Sequence, residues 1–264
     1  MTERDRHARP ASLRLASDHA RRLRDRHPAR GAQDARHRAA AVIGRAGLAA
    51  LVAAVALAGC TPAQAESVVR LPAATFDPAV KASRATAILA GGCFWGVEGV
   101  FSNVKGVIAV ESGYHGGSKA NASYDRTSTG STGHAESVRI TYDPRVVSYG
   151  DLLRILFSVV ADPTLKNRQG PDSGPQYRAA IVPLDAAQRK VAAAYLAQIG
   201  KGGYFAKPIV ARVEPYKAFY PAEAYHQDFM RRHPSNAYIV RWDAPKLAAL
   251  KRLYPAMVRA KPAP

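Results

Sequence analysis

Cys93 stands in Gly91-Gly92-Cys93-Phe94-Trp95-Gly96, a thiol flanked by flexible glycines and two large aromatic side chains. An apolar run, Thr86-Ala87-Ile88-Leu89-Ala90, precedes it, and apolar residues follow at 97, 100, 101 and 104, the spacing of a helix face. The sulfur is therefore expected at a strand-to-helix turn. The helix macrodipole and the free backbone N–H groups there favour a thiolate, so the sequence predicts a lowered thiol pKa and a nucleophile. A lone cysteine among apolar residues is more often a small buried hydrophobe. Here the glycines on both sides and the polar motifs downstream argue for chemistry.

Those motifs are Asn121-Ala122-Ser123-Tyr124, Thr132-Gly133-His134-Ala135-Glu136 and the polar stretch from Asn167 to Arg178, which contains Asp172 and Tyr177. A carboxyl such as Glu136 beside a thiol and aromatic rings has a raised pKa and holds a proton near neutrality. Tyr124 and Tyr177 could hold an oxygen by hydrogen bonds. Singly, each has a plainer reading: Glu136 as a surface acid, the tyrosines as packing, Asp172 as a turn residue, His134 as structural. A cysteine hydrolase would need a histidine base, and His115, His134 and His226 are the candidates. His134-Ala135-Glu136 echoes a zinc deaminase, but the Cys-x-x-Cys partner is absent, so no metal is expected. A non-catalytic binder of oxidised protein surfaces is the alternative outside enzymology.

Positioning these groups falls to alternating short elements. Val107 to Tyr114 and Ala135 to Tyr142 alternate as strands. Ser148 is expected to cap a helix from Tyr149 to Val160, and Asp185 to start one that runs to Ile199. Ala161 to Tyr177 is polar and glycine-rich, a functional loop by its length. Arg178 to Pro183 and Ile209 to Val213 are further strands, and Ala244 to Leu253 a last helix. Several strand pairs have no helix between them, which indicates an α+β fold and is compatible with a split βαβ arrangement.

The formal charge of +18 is uneven: residues 1–45 hold twelve arginines against five acids. That block has no lysines and no interleaved aromatics, and is expected as a leader or an over-extended N-terminus rather than a nucleic-acid arm. Residues 46–59, AGLAALVAAVALAG, are too short to span a bilayer but suit the core of a secretory signal within segment 46–65. Leu57-Ala58-Gly59-Cys60 resembles a lipobox, making Cys60 a lipidation candidate; Ala63-Gln64-Ala65 offers an ordinary cleavage site instead. Either route exports the protein to the periplasm or, lipid-anchored, to the bacterial cell envelope, where thiols tend to oxidise. Residues 66–83 are expected as a linker and 84–264 as one catalytic domain.

Taken together, GGCFWGVE, GYHGG, TGHAESVRI with YDP, NRQGPDSGPQYR and FYPAEAYHQDF resemble the A-type peptide methionine sulfoxide reductases in order and spacing, over about Ala87 to Tyr254. The resemblance implies a two-layer α/β sandwich with a ferredoxin-like mixed sheet, and reduction of the S epimer of methionine sulfoxide, free or in proteins. It implies that Cys93 attacks the sulfoxide sulfur and becomes a sulfenic acid. Glu136 would protonate the sulfoxide oxygen, Tyr124 and Tyr177 would hydrogen-bond it, and Asp172 would help position the site. Phe94 and Trp95 would receive the S-methyl group. Two departures stand out: no cysteine follows Cys93, where many relatives carry resolving cysteines, and Ala161 replaces a histidine common before Asp-Pro-Thr. The expected partners are thus oxidised proteins or methionine sulfoxide and an external thiol reductant of thioredoxin-like or similar type. No bound cofactor is expected, nor nucleic acid, and the chain should be a monomer.

Overall fold

The computed structural model describes residues 68–264; the basic leader, the apolar segment and Cys60 lie outside the described residues. The chain enters the sheet through β1 (Ala85–Gly91), turns at Gly92-Cys93 into α1 (Phe94–Phe101) and returns as β2 (Val107–His115). A short helix α2 (Tyr124–Thr127) leads to β3 (Ala135–Tyr142) and α3 (Tyr149–Ile155), which continues to Val160 as a wider π-helical turn. The long loop then holds a two-residue hairpin, β4 (Arg168–Gln169) and β5 (Asp172–Ser173), before β6 (Ala179–Val182). α4 (Ala186–Lys201), β7 (Arg212–Val213), β8 (Phe219–Pro221), α5 (Phe229–Arg232) and α6 (Ala244–Leu253) complete it.

Six strands form one sheet in the order β7-β6-β1-β3-β2-β8. Every pair is antiparallel except β6 with β7, so the sheet is mixed. Period-two alternation sorts the continuous apolar run of β1 onto two faces. Ala87 and Leu89 join the main core, while Ile88 meets Val182 and Phe219, and Ala90 meets Ala135 and Ala180. Each of α1, α3, α4 and α6 contributes buried side chains to that main core, among them Val97, Val100, Leu152, Leu153, Val191, Tyr195 and Leu250. The helices therefore cover one face of the sheet, the α+β sandwich expected.

Both expected caps form. Ser148 Oγ accepts from the Asp151 N–H at 3.1 Å while the Asp151 carboxylate accepts from the Ser148 N–H, and Asp185 accepts from the Gln188 N–H at 2.7 Å. α1 begins at Phe94 rather than Val97, because the first turn after Cys93 buries Phe94 and Trp95 and so gains apolar contact. The strand expected from Ile209 shrinks to Arg212–Val213, since only these residues reach β6. Residues 68–83, expected as a linker, carry no regular secondary structure yet lie against the domain. Leu71 is buried, its carbonyl accepts from Arg154 Nε at 2.9 Å, and Asp77 accepts from the Gly150 N–H at 3.0 Å.

Candidate active site

Antiparallel pairing brings three chain segments to one end of the sheet. β1 ends at Gly91 opposite Ala179, the start of β6, and the β1–β3 register, Leu89 to Val138, continues toward Glu136 at the start of β3. Gly92-Cys93, Glu136 and Tyr177 therefore meet although they are separated by dozens of residues. Glycine is required at 92: φ is +93°, and a Cβ would stand 2.7 Å from the Gln169 side chain. Gln169 accepts from the Asp162 N–H and donates to the Asp162 carbonyl, each at 2.9 Å. This closes the loop and holds the β4–β5 hairpin, with Asp172, over the turn.

Cys93 is the N-cap of α1 and is 9% exposed. The Trp95 backbone N–H donates to its sulfur, as a helix start should. The expectation of a lowered thiol pKa is nonetheless overturned. Burial pushes the thiol well above its ordinary value, and the carboxyls of Glu136, Asp243 and Asp172 push in the same direction. Desolvation and three acids outweigh one hydrogen bond and a short helix dipole.

Glu136 is 2% exposed, shares the core-facing side of β3 with Val138 and Ile140, and accepts from the Phe94 N–H at 3.0 Å. It thus sits beneath the turn that carries the thiol. Burial, then Asp172 and Asp243, raise its pKa well above the carboxylate range, so it is a proton donor at neutral pH. Tyr124 and Tyr177 belong to the same cluster. Burial, then the Glu136 carboxyl, raises both phenols above their ordinary pKa, so both stay hydrogen-bond donors. Gln176 Nε2 donates to the Ser128 carbonyl at 3.3 Å, tying the Tyr177 turn to the end of α2. Glu223 ties the start of α2 to β2, accepting from the Tyr124 N–H at 3.0 Å and from Tyr114 Oη at 2.8 Å.

The aromatic wall is built from two regions. Trp95 stacks on Phe229 at 3.8 Å between ring centres, meets Tyr238 edge-on at 5.9 Å, and donates from its indole N–H to His226 Nδ1 at 3.0 Å. Phe94 is wholly buried against Tyr114 and His226, so it backs the wall, while Trp95 keeps some exposed surface. Asp172 is held from the C-terminal segment, where Tyr238 Oη donates to its Oδ2.

Each of the three histidines is engaged with other groups. His134 accepts from the Gly117 N–H at 3.1 Å and its other ring nitrogen meets the Ser118 carbonyl at 3.0 Å, the structural part expected of it. His115 faces Glu214 and Lys217, and His226 Nδ1 receives the Trp95 indole. The group under the thiol is a protonated carboxyl instead. Sequence reasoning missed Glu223, Tyr238 and Asp243; the first lies in a motif already singled out, whereas the last two carry no local signal.

The arrangement is a buried sulfur nucleophile, a proton on a carboxyl, two phenol donors and an apolar wall, suited to attack on an uncharged centre bearing an oxygen. Comparison with known proteins agrees. The family described as peptide methionine sulfoxide reductase matches residues 85–256. Peptide methionine sulfoxide reductase MsrA 2 of Mesorhizobium japonicum is 54% identical over 177 residues, 67% of this chain and 91% of that one. Its namesake from Synechocystis is 47% identical over 192 residues, 72% of this chain and 90% of that one. Among solved structures, reduced Mxr1 from Saccharomyces cerevisiae superposes with a TM-score of 0.52 at 30% identity, covering 61% of this chain and 92% of that one. Methionine sulfoxide reductase A of Corynebacterium diphtheriae gives 0.51 at 28% identity, covering 64% and 85%. With the site, the fold and these relatives in agreement, the chain belongs to the peptide methionine sulfoxide reductase A family.

Proposed function

We propose that the protein reduces the S epimer of methionine sulfoxide, in proteins and free, through a sulfenic acid on Cys93, as repair in the cell envelope. The observation that carries this reading is the buried Glu136 carboxyl beneath the Cys93 turn, joined to the Phe94 N–H at 3.0 Å. The Cys93 sulfur forms a bond to the sulfoxide sulfur as Glu136 gives its proton to the oxide oxygen, which otherwise leaves poorly. The S–O bond then breaks, the departing hydroxide forms a bond to the Cys93 sulfur, and the bond between the two sulfurs breaks, leaving the sulfenic acid on Cys93 and methionine. The thiol proton restores Glu136. Cys93 is oxidised by two electrons and the sulfoxide reduced by two.

Tyr124 and Tyr177 donate to the oxygen while charge builds on it. Trp95 takes the S-methyl group against its ring, with Phe94 behind it and Asp172 fixing the polar side. With Cys60 carrying a lipid and no cysteine among residues 94–264, regeneration is intermolecular. A first thiol of a thioredoxin-like reductant displaces water from the sulfenic acid to give a mixed disulfide; its second thiol releases Cys93. The apolar segment and the Leu57-Ala58-Gly59-Cys60 sequence support export, with the chain anchored by a lipid on Cys60.

The test uses each epimer of a peptidyl methionine sulfoxide without reductant. One methionine per enzyme from the S epimer, with a dimedone-trappable adduct on Cys93, is expected, and Cys93→Ser should yield neither. Turnover by Cys93→Ser, or equal consumption of the R epimer, overturns the reading.

A further inference from the structure

The C-terminal segment delivers a carboxyl that the reaction above does not use. Asp243 is completely buried, and its side chain lies so close to Gly96 that a Cβ there would stand 2.2 Å from Oδ1. Gly96 belongs to the first turn of α1, the turn whose N-cap is Cys93. The ammonium of Lys246, itself buried, lies 3.8 Å from Asp243 Oδ1. Withdrawing both ions from water carries a desolvation cost that their mutual attraction seldom repays, so such a pair is a poor device for stability alone. Its location is informative: negative charge beside the N-terminus of α1 cancels the helix dipole that would otherwise favour a thiolate.

We propose that Asp243, with Lys246 as its counter-ion, is a positioning element that sets the potential at the start of α1: its charge keeps the Cys93 sulfur protonated while no sulfoxide occupies the site, and Lys246 limits that effect. The inference rests on Cys93 as the attacking thiol and names how its reactivity is held in check. A protonated thiol reacts slowly with peroxide. That matters in a chain whose only other cysteine is Cys60, with none downstream to capture a sulfenic acid as a disulfide.

Other titratable groups also face the thiol: Glu136 from β3, Asp172 from β5, Tyr124 from α2, Tyr177 before β6 and Tyr238 from the segment of Asp243 itself. Glu98, on α1, turns away to Ser112 Oγ and the Asp228 N–H, and His226 is engaged with Trp95. After burial, Glu136 and then Asp243 are the strongest influences on the thiol. Asp243 has the buried Lys246 ammonium beside it, and this gives the test its sign.

The experiment measures iodoacetamide alkylation of Cys93 against pH in the reduced full chain without substrate, read by peptide mass spectrometry so that Cys60 is counted separately. In Asp243→Asn the alkylation midpoint falls by about one pH unit, hence about tenfold faster alkylation at neutral pH, with a matching rise in peroxide oxidation. In Lys246→Met, which leaves the Asp243 charge uncompensated, the midpoint rises. Circular dichroism and melting confirm that each variant folds. Unchanged midpoints in the folded variants, or shifts in the same direction, overturn the proposal. Alkylation needs no sulfoxide, so this arm can fail while the reductase reading stands, and the reverse.

Discussion

Glu136→Gln isolates the proton from the shape. The amide keeps the size of the carboxyl and can still accept the Phe94 N–H, now at 3.0 Å from Glu136 Oε2, but it cannot give a proton to the sulfoxide oxygen. General acid catalysis contributes about 10²–10⁴-fold, which is about 3 to 5 kcal/mol of barrier. The rate of the first methionine released, measured in a single turnover without reductant, should fall by that factor while substrate binding is nearly held. Stability should move the other way. The folded-state pKa of Glu136 is raised, so its stabilisation is fully present below the ordinary carboxylate value of 4.5 and is lost as pH rises toward the folded pKa. Glutamine has no such loss, so the variant should melt no lower than the parent at pH 7, with the advantage vanishing below pH 4.5. A single-turnover rate within tenfold of the parent refutes the general-acid assignment. A slow variant that also melts lower refutes the burial argument, since the effect would then be loss of fold.

Two further outcomes follow from the same geometry. Removing one phenol donor, in Tyr124→Phe or Tyr177→Phe, should lower the single-turnover rate about 10²-fold without moving its pH profile, because both phenols stay protonated across the working range; a shifted profile would show that one of them titrates. Glu98, buried on α1 and raised to about 7, should make the melting temperature fall as pH rises from 4.5 through 7, by at most about 3 kcal/mol of stability. Glu98→Gln should flatten that slope, read by thermal melts at several pH values.

Much of this protein was legible in the chain because the signals are local. The strand, the turn glycines and the thiol at 86–96 lie within one contiguous stretch, and the caps at Ser148 and Asp185 act on residues three positions away. The motifs carrying Tyr124, Glu136, Asp172 and Tyr177 were recognisable as polar loops among apolar runs. Element ends were less legible. The short strands β7 and β8 and the segment holding Leu71 depend on partners across the fold rather than on their own residues.

By itself, then, the sequence determined which groups are present and which short elements bear them, since backbone preference and apolar period are set over a few residues. Only the tertiary structure decided what state those groups are in. It carried Asp243 from 147 positions beyond Gly96 to its side, brought Tyr238 to Asp172 and Glu223 to Tyr124, and closed water away from the sulfur. A helix start read alone promises a thiolate; burial among three carboxyls reverses that promise, because ionisation is governed by every charge within reach and by the water excluded, neither of which is local in the chain.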